Sequence, residues 1–289
     1  MTTSALRPAG PTLGRRMLNK VPEVTLYFWI IKILCTTVGE TAADFLNVNL
    51  GFGLNNTTYV TGALLLATLG FQCKATRYKP GVYWLAVVLL SVVGTLITDN
   101  LTDNFGVSLV TSTIGFSAAL AATFAVWFAS ERTLSIHTII TRRREGFYWL
   151  AILFTFALGT AAGDLFAERL SVGYWPSALL FGGVIAAITV AHFRFGLNAI
   201  LAFWLAYILT RPLGASIGDF LSQPQANGGL GLGATSTSAI FLTCILGLVV
   251  FLAVTKKDQT PPELIEHDEH TAGHPHHPDR RLQVAPQEA

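Results

Sequence analysis

Four times along the chain a tryptophan is followed ten residues later by a glycine, and five residues after that by an aspartate. The sets are Trp29, Gly39 and Asp44; Trp84, Gly94 and Asp99; Trp149, Gly159 and Asp164; Trp204, Gly214 and Asp219. The spacing never slips, and it uses four of the six tryptophans. A repeat this regular is the unit of the architecture, so the chain folds as four similar blocks. Other positions align with it. The residue before each aspartate is small: Ala43, Thr98, Gly163, Gly218. The residue four after it is polar in three copies, Asp103, Glu168 and Gln223, whereas the first copy has Val48 between Asn47 and Asn49.

The blocks are made of membrane helix. Charged residues make up 12% of the chain, against about 25% in a typical soluble domain. Eight mostly apolar stretches fall near 24–46, 58–73, 82–101, 107–129, 147–166, 174–193, 198–221 and 234–255, each about long enough to cross a bilayer. The expected fold is an all-α polytopic membrane protein of eight transmembrane helices, arranged as four parallel two-helix repeats. The repeats span about 22–79, 80–140, 145–195 and 197–255, between an N-terminal tail (1–21) and a His-rich tail (256–289). An even number of crossings per block gives all four one orientation, with the odd-numbered helices lining the interior. After a short Gly-bearing loop, three of the second helices open with hydroxyl pairs, at 57–58, 112–113 and 237–238, and the third has Ser177 alone. The N-terminus is basic without the apolar core of a signal peptide, so the first helix is expected to serve as an uncleaved signal. Of the 19 lysines and arginines, 16 fall in the two tails or in the loops after helices two, four and six. The positive-inside rule therefore puts both termini in the cytoplasm.

The segments "FWIIKILCTTVGETAADFL", "YWLAVVLLSVVGTLITDNL", "YWLAILFTFALGTAAGDLF" and "FWLAYILTRPLGASIGDFL" resemble those of a family of bacterial membrane proteins built from a tandem repeat of unknown function. The resemblance covers about residues 22–255. It implies four two-helix units and a bacterial inner-membrane location, and it brings no biochemical activity, so the chemistry must come from the residues.

Each aspartate lies roughly 22 Å along the helix from its tryptophan. With Trp29, Trp84, Trp149 and Trp204 as anchors at the cytoplasmic interface, Asp44, Asp99, Asp164 and Asp219 form one polar layer in the outer half of the membrane. Asp103 and Glu168 belong to a second, outer layer, and Glu40 adds an acid one turn deeper. An aspartate at a helix centre costs about 2.5–3.5 kcal/mol on translocon scales, less toward the surface. Four repetitions of that choice point to a compensating role. Carboxylates beside hydroxyls suit a hard cation, and crowded, desolvated carboxyls suit proton exchange. The leading expectation is a transporter of a hard cation, a divalent metal such as manganese or protons, along the repeated aspartates. The alternative is a non-transporting regulator or scaffold in which the aspartates bond structurally. Gly39, Gly94, Gly159 and Gly214 read as helix-packing positions.

Lys32 and Arg211 break the symmetry. Ion pairing with interior acids is the expected way to hold them, with a role in gating. In the tail, His267, His270, His274, His276 and His277 beside Asp268 and Glu269 form a candidate metal-binding tract. Cys35, Cys73 and Cys244 read as packing thiols. The Gly-x-Gly-Asp of intramembrane aspartyl proteases is missing, and no phosphate loop, Rossmann fingerprint or nucleophile elbow appears, so an enzyme is not expected. The only cofactor considered is a divalent metal as substrate. The expected partners are the bilayer and a small ion, with no nucleic acid; a homo-oligomer is compatible with the pattern. The basic "TRRRE" at 141–145 suits anionic lipid headgroups.

Overall fold

A computed structural model describes residues 20–259, apart from the side chains of Glu168 and Arg169. Eight long helices dominate the described residues: α1 (Leu26–Asp44), α2 (Gly53–Lys74), α3 (Pro80–Asp99), α4 (Leu109–Glu131), α5 (Arg142–Asp164), α6 (Tyr174–Phe195), α7 (Ala199–Ser222) and α8 (Ala234–Thr255). Their starts follow local chemistry. Thr25, Ser108, Thr141 and Asn198 accept from the first free backbone N–H groups, and Pro80 opens α3, where its missing N–H costs nothing. Three odd helices do not stop at their aspartate. Phe45–Asn49, Asn100–Asn104 and Leu165–Arg169 continue α1, α3 and α5 as a wider π-helical turn. α7 lacks this turn and carries Pro212 in its interior.

Seven of the eight are long and apolar enough to cross a membrane. α2 matches them in length, and its lower apolarity has a local cause. The residues it buries are Thr57, Thr61, Leu65, Thr68 and Gln72, a mostly polar inward face. Thr61 and Thr68 satisfy their hydroxyls on their own helix, donating to the carbonyls of Thr57 (2.7 Å) and Leu64 (2.8 Å). Tyr59, Leu64, Leu66 and Phe71 face outward.

Odd and even helices occupy different places. Within the most apolar window, α1, α3, α5 and α7 bury 61, 67, 56 and 56% of residues, whereas α4, α6 and α8 bury 17, 11 and 22%. The odd helices contact one another in a closed ring, α1 to α3 to α5 to α7 and back to α1. The even helices lie outside it. Each packs against the odd helix of the next repeat: α2 on α3, α4 on α5, α6 on α7, and α8 back on α1. A repeat thus contributes one inner helix and one outer helix that covers its neighbour. The last outer helix closing on the first inner one makes the arrangement cyclic.

The ring is tight because each repeat glycine receives a side chain from the next inner helix. A Cβ on Gly39 would overlap Ser91, one on Gly94 Phe156, one on Gly159 Arg211, and one on Gly214 Thr36. All four receiving residues stand three positions before their own glycine, so one contact is used four times. Hydroxyl-to-carbonyl bonds run beside it: Thr98 donates to Ala157 (3.1 Å) and Thr36 to Thr210 (3.1 Å). Ser238 closes α8 on α1 by donating to the Thr41 hydroxyl at 2.8 Å.

Three of the four repeat tryptophans are turned into the protein rather than outward. Trp84, Trp149 and Trp204 are 1, 5 and 4% exposed, inside a layer of rings that also holds Phe28, Tyr83, Tyr148, Phe203 and Tyr207. Only Trp29 is half-buried. Packing between inner helices has claimed rings that a headgroup contact would need exposed. The packing-thiol reading holds for Cys35, which is buried, but Cys244 is exposed on α8 and Cys73 is half-buried.

Candidate functional site

Four-residue spacing along α1 puts Lys32, Thr36, Glu40 and Asp44 close to one face, about one turn apart, and the equivalent residues of the other inner helices stack in the same layers. One turn beyond the Arg211 layer, the equivalent positions are Glu40, Thr95, Thr160 and Ala215.

Arg211 crosses that layer. Its Nη2 donates to Glu40 Oε2 (2.8 Å), Thr160 Oγ1 (2.8 Å) and Thr95 Oγ1, and its Nη1 donates to the Thr36 carbonyl (2.9 Å). One fully buried guanidinium on α7 therefore binds the same position in each of the other three repeats. The ion pair with Glu40 is the one salt bridge among the described residues that joins two membrane helices in mid-span. Arg211 is expected from sequence to pair with an interior acid, and Asp219 lies on its own helix; the partner is Glu40, across the ring.

Lys32 departs from expectation. It is 0% exposed and its Nζ has no hydrogen-bond partner. Instead of an acid, it meets two rings, Phe156 with its centroid at 4.1 Å and Tyr207 at 4.2 Å. Tyr207 is the residue of α7 equivalent to Lys32. The acid two turns along α1, Glu40, is taken by Arg211, so the ammonium is left with ring faces, worth about 2 kcal/mol when desolvated.

The acids lie beyond Arg211. Asp99 is within electrostatic reach of Glu40, Asp44 and Asp103, with Arg211 as the opposing charge. Two inner helices, α1 and α3, and the turn that continues α3 thereby place four carboxyls in one region, three of them within electrostatic reach of Asp99. Asp103 is exposed, Asp44, Asp99 and Asp164 are half-buried, and Asp219 is buried; Asp44, Asp164 and Asp219 each interact with other groups. The side chain of Glu168 lies outside the described residues. No three His, Cys, Asp or Glu side chains among the described residues converge on a point that could hold a metal ion. The tail histidines His267, His270, His274, His276 and His277 lie outside the described residues. Around the acid end, Asn100 donates to Thr58 (2.9 Å) and Asn104 to Asn55 (3.1 Å). The equivalent hydroxyls of Thr57, Ser112 and Ser177 are buried without a hydrogen-bond partner. Two cavities, of about 530 and 580 Å³, lie elsewhere, between inner and outer helices. Their linings are largely apolar and contain none of the repeated aspartates.

The opposite end, where the described chain enters and leaves, is held by polar groups that sequence reading misses. Lys20 is 1% exposed, pairs with Glu145 at 2.7 Å and donates to the Cys73 carbonyl at 3.1 Å. Tyr78 donates to Asp258 at 2.6 Å. Both groups are buried, which pushes the Asp258 carboxyl above the usual carboxylate range and the Tyr78 hydroxyl above the usual tyrosine range. Tyr83 and Tyr148 share a hydrogen bond of 2.6 Å. Those two are equivalent residues of consecutive repeats. The signal was present in the segment openings, which read FW, YW, YW and FW.

The repeats seen here match a known family model. The Repeat of Unknown Function (DUF347) is found four times, at residues 27–78, 82–133, 147–197 and 202–258. No curated protein and no solved structure matches the chain.

Proposed function

Because the chain belongs to the DUF347 family of repeats, which carries no assigned activity, we propose from its own residues that it is a cation transporter of the bacterial inner membrane. All eight long helices cross, α2 included, since its 22 residues reach about 33 Å. The four repeats run parallel, and the basic loops place both termini in the cytoplasm. The acid end is then external.

The carrying observation is that Asp99 lies within electrostatic reach of Glu40, Asp44 and Asp103, with Arg211 as an opposing charge. A cation is drawn to exposed Asp103 first, then to the half-buried pair Asp44 and Asp99. Further inward it competes with Arg211 for Glu40. Taking Glu40 releases the guanidinium, and with it the tie that holds Thr36, Thr95 and Thr160 to α7. The cation's arrival is therefore coupled to loosening of the ring. Oxygen donors without thiolate suit a hard ion, and manganese is the divalent probe of choice. In this conformation the carboxyls attract a hydrated cation or share protons; they do not cage a bare one.

Uptake of Mn²⁺ into liposomes containing the full chain tests this. Asp99→Asn should lower the initial rate by about tenfold or more, equivalent to about 1.4 kcal/mol of barrier, with the melting temperature nearly unchanged. Uptake equal to wild type would refute the path. A second reading, a membrane scaffold, draws on the reach of Arg211 into three other repeats. It is favoured if Asp99→Asn unfolds the protein and wild type carries no flux.

A further inference from the structure

Buried polar atoms without partners are rare, because each has given up its hydrogen bonds to water and gained none in return. Three of those found here border a run of tyrosines. Lys32 Nζ and the Tyr207 hydroxyl, whose ring packs on it, are both buried and unpartnered, and so is Asp258 Oδ1 at the far end. Between them stand further hydroxyls. Asp258 accepts from Tyr78 at 2.6 Å. The Tyr78 ring meets the Tyr83 ring edge-on at 5.7 Å, and Tyr83 shares its hydrogen bond with Tyr148 at 2.6 Å. Tyr148 and Tyr83 both lie within electrostatic reach of Tyr207. Five titratable groups drawn from two loops and three inner helices thus stand between the end held by Tyr78 and Asp258 and Lys32, the one unpaired ammonium in mid-span among the described residues. Asp258 with Tyr78 and Tyr83 with Tyr148 are joined by hydrogen bonds, and the other neighbours meet through their rings or through space. Helix packing alone does not call for them. Phe occupies the Tyr83 position in the first and fourth repeats, and Val87 and Ile152 occupy the Lys32 position in the second and third.

We infer that the axis carries a proton path from Asp258 through Tyr78, Tyr83, Tyr148 and Tyr207 to Lys32, and that Lys32 is the group that exchanges the proton. This rests on the reading of the chain as a cation transporter and supplies its coupling. The groups facing Lys32 define when it lets go. On its own helix there is Cys35; α7 brings Arg211 and Tyr207; α5 brings the Phe156 ring and carries Tyr148. Of the other helices packed on α1, α3 has only Tyr83 and Asp99 as titratable groups and α8 only Cys244. When a cation takes Glu40, the freed guanidinium of Arg211 stands one turn from the ammonium with no counter-charge. Repulsion then favours the neutral amine. The Tyr207 hydroxyl, which bonds neither Lys32 nor Tyr148 in this conformation, turns onto the ammonium and takes one proton from it, and the amine keeps its lone pair. Each hydroxyl accepts a proton on a lone pair as it passes its own onward, and the last proton rests on the Asp258 carboxylate. The reverse sequence recharges Lys32.

The test uses the full chain in liposomes loaded with pyranine. A valinomycin–potassium potential drives protons inward, with and without external Mn²⁺. Wild type should acidify the lumen. Lys32→Met and Tyr148→Phe should each slow this by about tenfold or more; Tyr148→Phe keeps the ring and removes only the hydroxyl. Lys32→Arg should fail as well, because it keeps the charge but does not release its proton. No proton uptake by wild type under either condition overturns the path. So does wild-type uptake in Lys32→Met or Lys32→Arg. Proton uptake that needs Lys32 in a protein that carries no Mn²⁺ upholds the path and removes the metal from the transport reading.

Discussion

Two layers of the axis, one helical turn apart, each hold a fully buried cation, and they are treated in opposite ways. Around Arg211, three repeats supply Glu40, Thr95 and Thr160, and a fourth bond goes to the Thr36 carbonyl. Around Lys32 there are two rings and no hydrogen bond. The first layer is a network of four bonds that leaves only the Nε of the guanidinium without a partner, and such networks fix a unique packing. The second keeps a charge in a place where a methionine would pack as well. Stability accounts for Arg211; it does not account for Lys32. The contrast teaches where to divide structure from function on this axis.

The largest effect is expected at the hydrogen-bonded layer. Arg211→Met leaves Glu40 buried and unpaired, so the protein should lose about 3–5 kcal/mol, read as a large drop in melting temperature in detergent. Arg211→Lys should restore little of it, since one ammonium cannot serve four acceptors in this planar arrangement. Next comes the glycine contact that seats the ring. Gly214→Val drives a branched side chain into Thr36 and should cost about 1–3 kcal/mol or more; wild-type stability would show that the ring does not close there.

A smaller effect follows from pH at the opposite end. Burial raises the Asp258 carboxyl, so the folded protein holds this proton to a higher pH than the unfolded chain, where aspartate titrates near 3.9. Unfolding then releases a proton, and this group's contribution to stability falls as pH rises from about 4 through the folded value, by up to about 1.4 kcal/mol per unit. Asp258→Asn should flatten that part of the stability–pH curve. A curve of unchanged slope would mean that the Tyr78 bond holds the carboxylate as well as water does. The smallest effect on stability is expected at Lys32. Lys32→Met removes ring contacts worth about 2 kcal/mol together with a desolvation penalty of several kcal/mol, so the melting temperature should stay level or rise.

Much of this was legible in the sequence. Period, spacing and charge placement give four helical repeats, the inner position of the odd helices and the glycines as contact points, because these depend on a pattern repeated to the residue. Partner choice was not legible. Glu40 is two turns from Lys32 on α1, yet it bonds Arg211, because the ring sets α7 beside α1 and Arg211 reaches across it. The burial of Trp84, Trp149 and Trp204 was not legible for a related reason. A ring near a helix end suits either a membrane interface or a protein core, and only the closing of the ring decides. Nor does the pattern show that an outer helix covers the inner helix of the next repeat, since a short loop in sequence suggests a simple hairpin. Lys20 looks like one more basic tail residue until Glu145 is found against it.

The decisive measurement takes Arg211→Met and Lys32→Met through the same two assays, thermal unfolding in detergent and proton uptake in liposomes. Arg211→Met should lose stability and uptake together. Lys32→Met should unfold like wild type and lose uptake alone. A Lys32→Met protein that unfolds as readily as Arg211→Met, or that still takes up protons at the wild-type rate, would contradict the division of the axis into a structural layer and a working one.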